Sequence, residues 1–435
     1  MKAEFFATIL SLSILSAAPA ITLDEALKTT LENNPEIQRA KSNLEQAAGR
    51  RLVIRSVAWP NARVNVPGGI QGGDRAGSTK TKLFGFVRAS LTQPLFDVAI
   101  PHSLTRGNIE VLIAQQQLNL AVEHQLHAAR LAFYAALYNR DLQAVREKQR
   151  GRLDENVASQ SGRYRAGLAD RGAYTAATVE ARALDPLVED ARHGYATAQL
   201  QLQQAMGLRL DSTAKLPEAE GELKFAAVDV DVDADKTAAL ENRTDIKLAR
   251  LLVRAANEDE RIIAAGYFPS VTGSLTGDYI PVTGIHREGS TSRTQDFLGS
   301  ELREGAVYTW RVIDNGKVGG AVLRQRKARE INEIELGKLE ANVGRELARI
   351  QSDLVGIAER RKSLAAGAEN AEQTAGAVQQ NLGSGLASQL EYRLAEGSFL
   401  KTQSGLLEAG YLQNVALAEW DRATGRYFQF SQDMH

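Results

Sequence analysis

The residues best equipped for metal or proton chemistry are six histidines: His102, His124, His127, His193, His286 and His435. His124 and His127 share a helix face at i, i+3, but no Glu-x-x-His pairing accompanies them, and the 435 residues contain no cysteine to supply a thiolate. Gly316-Lys317-Val318-Gly319-Gly320 sets a lysine among glycines without the Gly-x-x-x-x-Gly-Lys-Ser/Thr spacing that cradles phosphate. It falls where a strand pattern gives way to a helix pattern, so it reads as a connection. No constellation of nucleophile, base and orienting group can be read. The expectation is a protein that is not an enzyme, with no metal and no cofactor. Without cysteine there is also no disulfide and no lipid anchor on an N-terminal cysteine. Lys+Arg and Asp+Glu balance at 52 and 53, a net charge of −1. With no basic tract, nothing points to nucleic acid.

Architecture is what the sequence does specify, and it is organised around a stretch that occurs twice. Leu31–Pro60 and Leu240–Pro269 align without a gap. Leu-Glu-Asn, Glu36-Ile37 with Asp245-Ile246, Ala40 with Ala249, Leu44 with Val253, Ala47 with Ala256, and Trp59-Pro60 with Phe268-Pro269 coincide. Farther on, Gly167-Leu168-Ala169 answers Gly385-Leu386-Ala387, and Ala205-Met206-Gly207 answers Ala423-Thr424-Gly425. An internal repeat of this kind decides the fold before any single motif does. The expected organisation is a signal peptide at 1–20, a first repeat at 21–208, a linker at 209–231, a second repeat at 232–426 and a tail at 427–435. The leader rests on Lys2, the apolar run Phe5 to Ala17 and the small-residue pattern Ala18-Pro19-Ala20.

Within each repeat the hydrophobic period changes from helix to strand and back. Thr22 and Glu25 make a capping box for an opening helix, and Asn34-Pro35 restarts it. From about 60 to 96, and again from about 269 to 313, apolar residues alternate on either side of a polar stretch, the signature of a β-hairpin. The polar stretches, 67–78 and about 282–302, read as loops. Strands of about ten residues match a tilted membrane-spanning strand. On that reading Val64, Val66, Val87, Leu91, Leu275, Tyr308 and Trp310 share one parity and face lipid, with Tyr308 and Trp310 as an aromatic girdle. A soluble two-stranded hairpin is the other reading of the strands alone. Residues 103–163 and 321–381 lack proline and carry seams near a 3.5 period: Val122, Leu126, Ala129, Phe133 and Ala136, then Leu336, Leu339, Val343, Leu347, Ile350, Leu354 and Ile357. Such seams predict long coiled-coil helices. Gly337, Gly344, Gly356, Gly367 and Gly376 are expected where helices approach closely. Gly167 and Gly385 are expected to stop the long helices in a left-handed turn.

Several of these segments carry a family resemblance. The opening Leu23-Asp24-Glu25-Ala26-Leu27 with Leu31-Glu32-Asn33-Asn34-Pro35-Glu36, Glu241-Asn242-Arg243-Thr244-Asp245-Ile246 in the second copy, the strand end Gln93-Pro94-Leu95-Phe96-Asp97 and the closing Ala423-Thr424-Gly425 resemble the TolC family of outer-membrane efflux proteins. Thr244 stands where that family usually has proline, and Val312-Ile313-Asp314 replaces its commoner Pro-Leu-Phe-Asp.

The resemblance implies a mainly α fold with a membrane β-barrel portion. Three chains would close a 12-stranded β-barrel continuous with a long periplasmic α-helical coiled-coil barrel, each chain holding two tandem structural repeats. It implies a homotrimer in the outer membrane of a Gram-negative-type cell, in contact with outer-membrane lipid. The implied function is a passive exit duct of a tripartite efflux or type I secretion system, with a periplasmic adaptor (membrane fusion) protein and an inner-membrane pump of RND, ABC or MFS type as partners. It further implies that the turns Gly167-Leu168-Ala169-Asp170 and Gly385-Leu386-Ala387-Ser388 dock the adaptor. Glu391, six residues past Gly385, would face the axis as a pore gate. The alternative is a periplasmic or surface coiled-coil protein with a structural or adhesive role, which would not need two hairpins with outward apolar faces.

Overall fold

A computed structural model of the chain describes residues 20–75, 78–209, 218–226, 230–279 and 300–426. The expected leader up to residue 19, the tail 427–435, and residues 210–217 and 227–229 of the expected linker lie outside the described residues. The chain divides into two compact units. Of the described residues, one unit comprises those within 20–39, 119–243 and 341–426, the other those within 40–118 and 244–340.

Element lengths recur along the chain. Helix α1 (Leu23–Asn33) and α5 (Val232–Asn242) have 11 residues each. Helices α2 (Pro35–Arg55) and α6 (Thr244–Ala264) have 21 each. The long helices α3 (Ala99–Arg165) and α7 (Lys317–Ser384) have 67 and 68, and α4 (Arg171–Ala205) and α8 (Gln389–Ala423) have 35 each. Local chemistry sets the boundaries. Thr22 accepts from the Glu25 amide while Glu25 accepts from the Thr22 amide at 2.9 Å, the expected capping box. Asn34 then caps α2, its Oδ1 accepting from the Glu36 amide at 2.9 Å.

In the first unit, the core gathers Phe133, Tyr134 and Leu137 of α3 with Leu202 of α4, Met206, Ala26 and Ala418. A short parallel pair, β1 (Ala20–Ile21) with β6 (Glu218–Ala219), lies beside it. Leu126, Ala129, Phe133 and Ala136 of the expected α3 seam are buried, as are Val343, Leu347, Ile350 and Leu354 of α7. Trp420 is fully buried and donates its indole N–H to Asp235 at 2.8 Å.

Two closures tie the ends of the return helices to the opening helices. Asn34 Nδ2 donates to the Ala205 carbonyl at 2.9 Å, and at the matching position of the second copy Arg243 donates to the Ala423 carbonyl at 3.4 Å. Gly207 (φ +72°) and Gly425 (φ +73°) sit against those same junctions. A Cβ on Gly207 would lie 2.6 Å from the Asn34 Cα and one on Gly425 3.0 Å from the Arg243 N. At these two junctions the close approach is to backbone, whereas Gly405 of α8 approaches a side chain, with its Cβ position 3.0 Å from Leu364. Gly337, Gly356, Gly367 and Gly376 of α7, expected at close helix contacts, meet no atom within 4 Å in the chain, and Gly344 meets only the flexible Lys236 side chain, at 3.5 Å.

The second unit contains a four-stranded antiparallel sheet in the order β2 (Asn61–Asn65), β5 (Val87–Phe96), β7 (Ser270–Tyr279), β8 (Ser300–Thr309). The expected loop at 67–78 is instead structured. Strands β3 (Gly68–Arg75) and β4 (Ser78–Gly85) continue the first hairpin as a ribbon in register from Gly68 with Gly85 to Arg75 with Ser78. Its glycines and polar residues carry no apolar alternation to mark a strand, yet main-chain pairing needs none. Pro67 explains the break between ribbon and sheet. It has no N–H to donate, and its carbonyl accepts from Phe86 at 3.1 Å. In the second hairpin, the connection expected at about 282–302 lies outside the described residues up to Gly299, and β8 begins at Ser300.

The glycine closures yield a testable contrast. Gly207→Ala should lower stability by more than the ~1–2 kcal/mol of a left-handed Ala, because backbone blocks the new methyl. Gly337→Ala, on an open face of a helix, should raise it by ~1 kcal/mol. Denaturant unfolding of the two variants measures both signs, and equal effects would refute the assignment.

Candidate functional site

Both helix turns are built from the same backbone device. At the end of α3, the Leu168 amide donates to Arg163 O at 2.8 Å and the Gly167 amide to Tyr164 O at 3.1 Å, with Gly167 at φ +75°. At the end of α7, Leu386 donates to Asn381 O at 2.7 Å and Gly385 to Leu382 O at 3.1 Å, with Gly385 at φ +79°. These paired bonds satisfy the last carbonyls of each helix, and only glycine enters this conformation without strain. The returning helices are then capped. Asp170 accepts from the Ala173 amide at 2.7 Å, and Ser388 accepts from the Glu391 amide at 3.2 Å. The result is that Leu168 and Leu386 project into solvent, 71% and 81% exposed, with Ala169 and Ala387 half-buried beside them.

Sequence reasoning missed Arg163. It stands in the last turn of α3, where a basic residue would be read as compensating its own helix end. In fact its guanidinium caps the other long helix, donating to the Leu382 carbonyl at 2.8 Å and to the Gly383 carbonyl. The first turn thereby holds the second. Below the turns, Leu153, Ala181, Leu184, Val188, Leu382 and Tyr392 form an apolar cluster. Burial pushes the Tyr392 phenol up to about 12. Glu396, nearly fully buried and itself raised by burial, meets Arg152 at 2.8 Å.

Glu391 makes a second bond in the same cap. Its Oε2 accepts from the Ser388 amide at 2.6 Å and from the Ser388 hydroxyl at 2.9 Å. Those donors, the backbone one foremost, hold the carboxyl below the usual glutamate range. Within the chain, then, Glu391 is an exposed residue engaged in a capping box. Leu390 and Leu394 flank it, both exposed.

The sheet sorts its side chains by register. Val64 opposes Ala89, Leu91 opposes Leu275, Val87 opposes Tyr279 and Val271 opposes Tyr308. Val64, Val87, Leu91, Leu275 and Tyr308 therefore lie on one face, and Val66 and Trp310 continue it one residue beyond β2 and β8. Glu304, opposite Leu275, is a charge on that face which the sequence reading did not note. The other face carries Asn61, Arg63 and Asn65, Arg88, Ser90 and Thr92, and Thr272 through Asp278 at every second position. Arg88 and Asp278 pair across it at 2.6 Å. Among the described residues no group of His, Asp or Glu is arranged to hold a metal, and no helix is long and apolar enough to cross a membrane.

No protein-family model and no curated protein matches this sequence. Solved structures do. A membrane protein from Pseudomonas aeruginosa superposes with a TM-score of 0.80 at 17% identity, over 93% of this chain and 92% of that one. The outer membrane protein VceC from Vibrio cholerae gives 0.79 at 16% identity, over 93% and 96%. The CmeC outer membrane channel of Campylobacter jejuni gives 0.80 at 11% identity, over 93% and 85%. The chain has the fold of these outer-membrane proteins.

The capping box makes a pH prediction of fixed sign. Because the Glu391 carboxyl is depressed in the folded chain, its contribution is present above the ordinary glutamate pKa and is lost as pH falls through the depressed value. Amide exchange at Ser388, corrected for intrinsic rates, should accelerate only in acid. Ser388→Ala should loosen the first turn of α8 at neutral pH by ~0.5–2 kcal/mol. Exchange insensitive to both changes would show that the box does not hold this turn.

Proposed function

We propose that this chain is a TolC-family outer-membrane protein: a homotrimeric, passive exit duct that passes substrates outward for an inner-membrane pump of RND, ABC or MFS type, through a periplasmic adaptor. The observation that carries the proposal is the two-faced sheet whose two edges have no partner strand among the described residues. A sheet with an exposed apolar face and a polar face suits lipid on one side and water on the other. Its edge strands β2 and β8 run in opposite directions, since each step of the order β2-β5-β7-β8 is antiparallel. The β8 edge of one copy can thus pair antiparallel with the β2 edge of the next, head to tail, a contact that forms a ring when the rotation it imposes closes. Three copies give twelve strands, and closure supplies the main-chain partners that lipid cannot. The likeness of fold to outer-membrane channels supports the same reading.

On this reading Val64, Val66, Val87, Leu91, Leu275, Tyr308 and Trp310 meet lipid, and the recurring element lengths reflect two tandem repeats. The turns at Gly167–Asp170 and Gly385–Ser388 are the adaptor-docking tips, six per trimer. Three Glu391 carboxylates near the axis would attract cations and gate the pore. In that ring like-charge repulsion would work against the lowering that Ser388 imposes within one chain.

Single-channel recording in planar bilayers tests the duct directly. A trimer that inserts should conduct, and Glu391→Ala should weaken block by multivalent cations. A folded trimer without conductance would leave only a coiled-coil structural role. Val87→Arg, on the lipid face, should cost ~2–4 kcal/mol of barrel stability, whereas Ser90→Arg, on the polar face, should be tolerated. Equal tolerance in heat-modifiability gels would refute the facing assignment.

Docking at the turns has its own check. Replacing Ala169 and Ala387 together by tryptophan should abolish export while the trimer still folds, inserts and conducts. Normal export by that double variant would remove the turns from the docking surface.

A further inference from the structure

Charge on the polar face of the sheet is concentrated at one end. Across the four strands, register aligns Arg63, Ser90, Thr276 and Arg303 in one row, and Asn65, Arg88, Asp278 and Glu301 in the next. The row on the other side, Asn61, Thr92, Ser274 and Gly305, is uncharged. Three guanidiniums and two carboxylates thus fall within two adjacent rows, which on one face of a sheet are only about 7 Å apart.

The arrangement of these groups matters more than their count. Arg88 grips Asp278 with two bonds, at 2.6 and 3.1 Å. Arg303 reaches the same carboxylate at 3.9 Å from the other side while binding Glu301 through two bonds at 2.7 and 2.8 Å. The Asp278 side chain is left only 10% exposed, whereas those of Arg88 and Arg303 are 49% and 65% exposed. The acid lies under the cations. Arg63 donates to the Asn61 amide oxygen at 3.1 Å and has no acidic partner among the described residues. The face presents water mostly with guanidinium, beside a Glu301 side chain that is 38% exposed and bound by Arg303. Arg63 is the guanidinium whose charge no described carboxylate offsets, in a group suited to phosphate and carboxylate oxygens.

We propose that this face is an anion-binding surface within the duct, with Arg63, Arg88 and Arg303 as the groups that contact a soluble polyanion in transit. The inference rests on the duct reading, which turns the polar face toward an aqueous lumen. There, low-dielectric walls focus the field of the arginines, and repetition by each copy multiplies it. Arg63 sets the strength of the site because no described carboxylate neutralises it. Arg88 keeps Asp278 covered, so its part is to hold the acid out of the field as well as to present charge. The surface favours anionic solutes, the opposite preference to the one proposed for Glu391. A polyanion and a multivalent cation should therefore act on different residues of the channel.

The test uses the reconstituted full-length channel with inorganic tripolyphosphate as the probe. Added to the chamber on the hairpin side, tripolyphosphate should reduce the current of the native channel. Arg63→Ser should raise the blocking concentration by about tenfold, within the range by which focused charge enriches a counter-ion. Arg63→Ser combined with Arg303→Ser should raise it further, and Arg63→Lys, which keeps the charge, should stay within about twofold of the native value. Block by multivalent cations should be the same in all of them. A conducting channel whose tripolyphosphate block is absent, or identical in the native and Arg63→Ser forms, overturns the anion site and leaves the duct reading intact. A trimer that inserts and passes no current overturns the duct reading and this inference with it.

Discussion

A strand edge placed where water cannot reach it must find another strand, and the proposed assembly of this chain follows from that requirement. In the sheet β2-β5-β7-β8, the inner strands satisfy one another, while β2 and β8 each keep one side of their backbone unpaired within the sheet. In water such edges invite promiscuous association, and in lipid they are prohibitive. On the proposed duct reading, the apolar face would meet lipid and the opposed directions of the two edges would let a second copy pair with them. The two hairpins meet in one sheet in register, 190 positions apart in the pairing of Arg88 with Asp278.

Helix ends impose the second constraint. Helices of 67 and 68 residues each finish with carbonyls that need donors. Both use the same glycine turn, but the second also borrows Arg163 from the neighbouring helix. The two turns are therefore alike in backbone and unlike in support. The return helices end in a related way, where the Asn34 amide donates to the Ala205 carbonyl and the Arg243 guanidinium to the Ala423 carbonyl.

This division explains what could be read in advance. The capping box at Thr22, the restart at Pro35, the seam from Leu126 to Ala136 and the left-handed glycines at 167 and 385 are local patterns, legible because local sterics and hydrogen bonding determine them. Strand parity was legible for the same reason, which is why Val64, Val87, Leu91, Leu275 and Tyr308 fall on one face. The ribbon of β3 and β4 was not legible, because Gly68 to Gly73 and Ser78 to Lys82 give no apolar period for main-chain pairing to announce. Arg163 was hidden because its partner carbonyls are 219 and 220 residues away. The α7 glycines find no close neighbour within the chain; composition signals close packing without saying whether the partner helix lies in the same chain.

Ring closure through the free edges is the claim on which the rest depends, and the absence of cysteine makes it directly measurable. Val64→Cys on β2 can be combined in turn with a cysteine at Leu302, Glu304, Ala306 or Tyr308, the same-face positions along β8. After mild oxidation of the membrane-inserted protein, at least one combination should give a covalent trimer and nothing larger. Monomers only, across all four combinations, or a ladder that runs past three copies, would contradict closure of the sheet by β2 and β8.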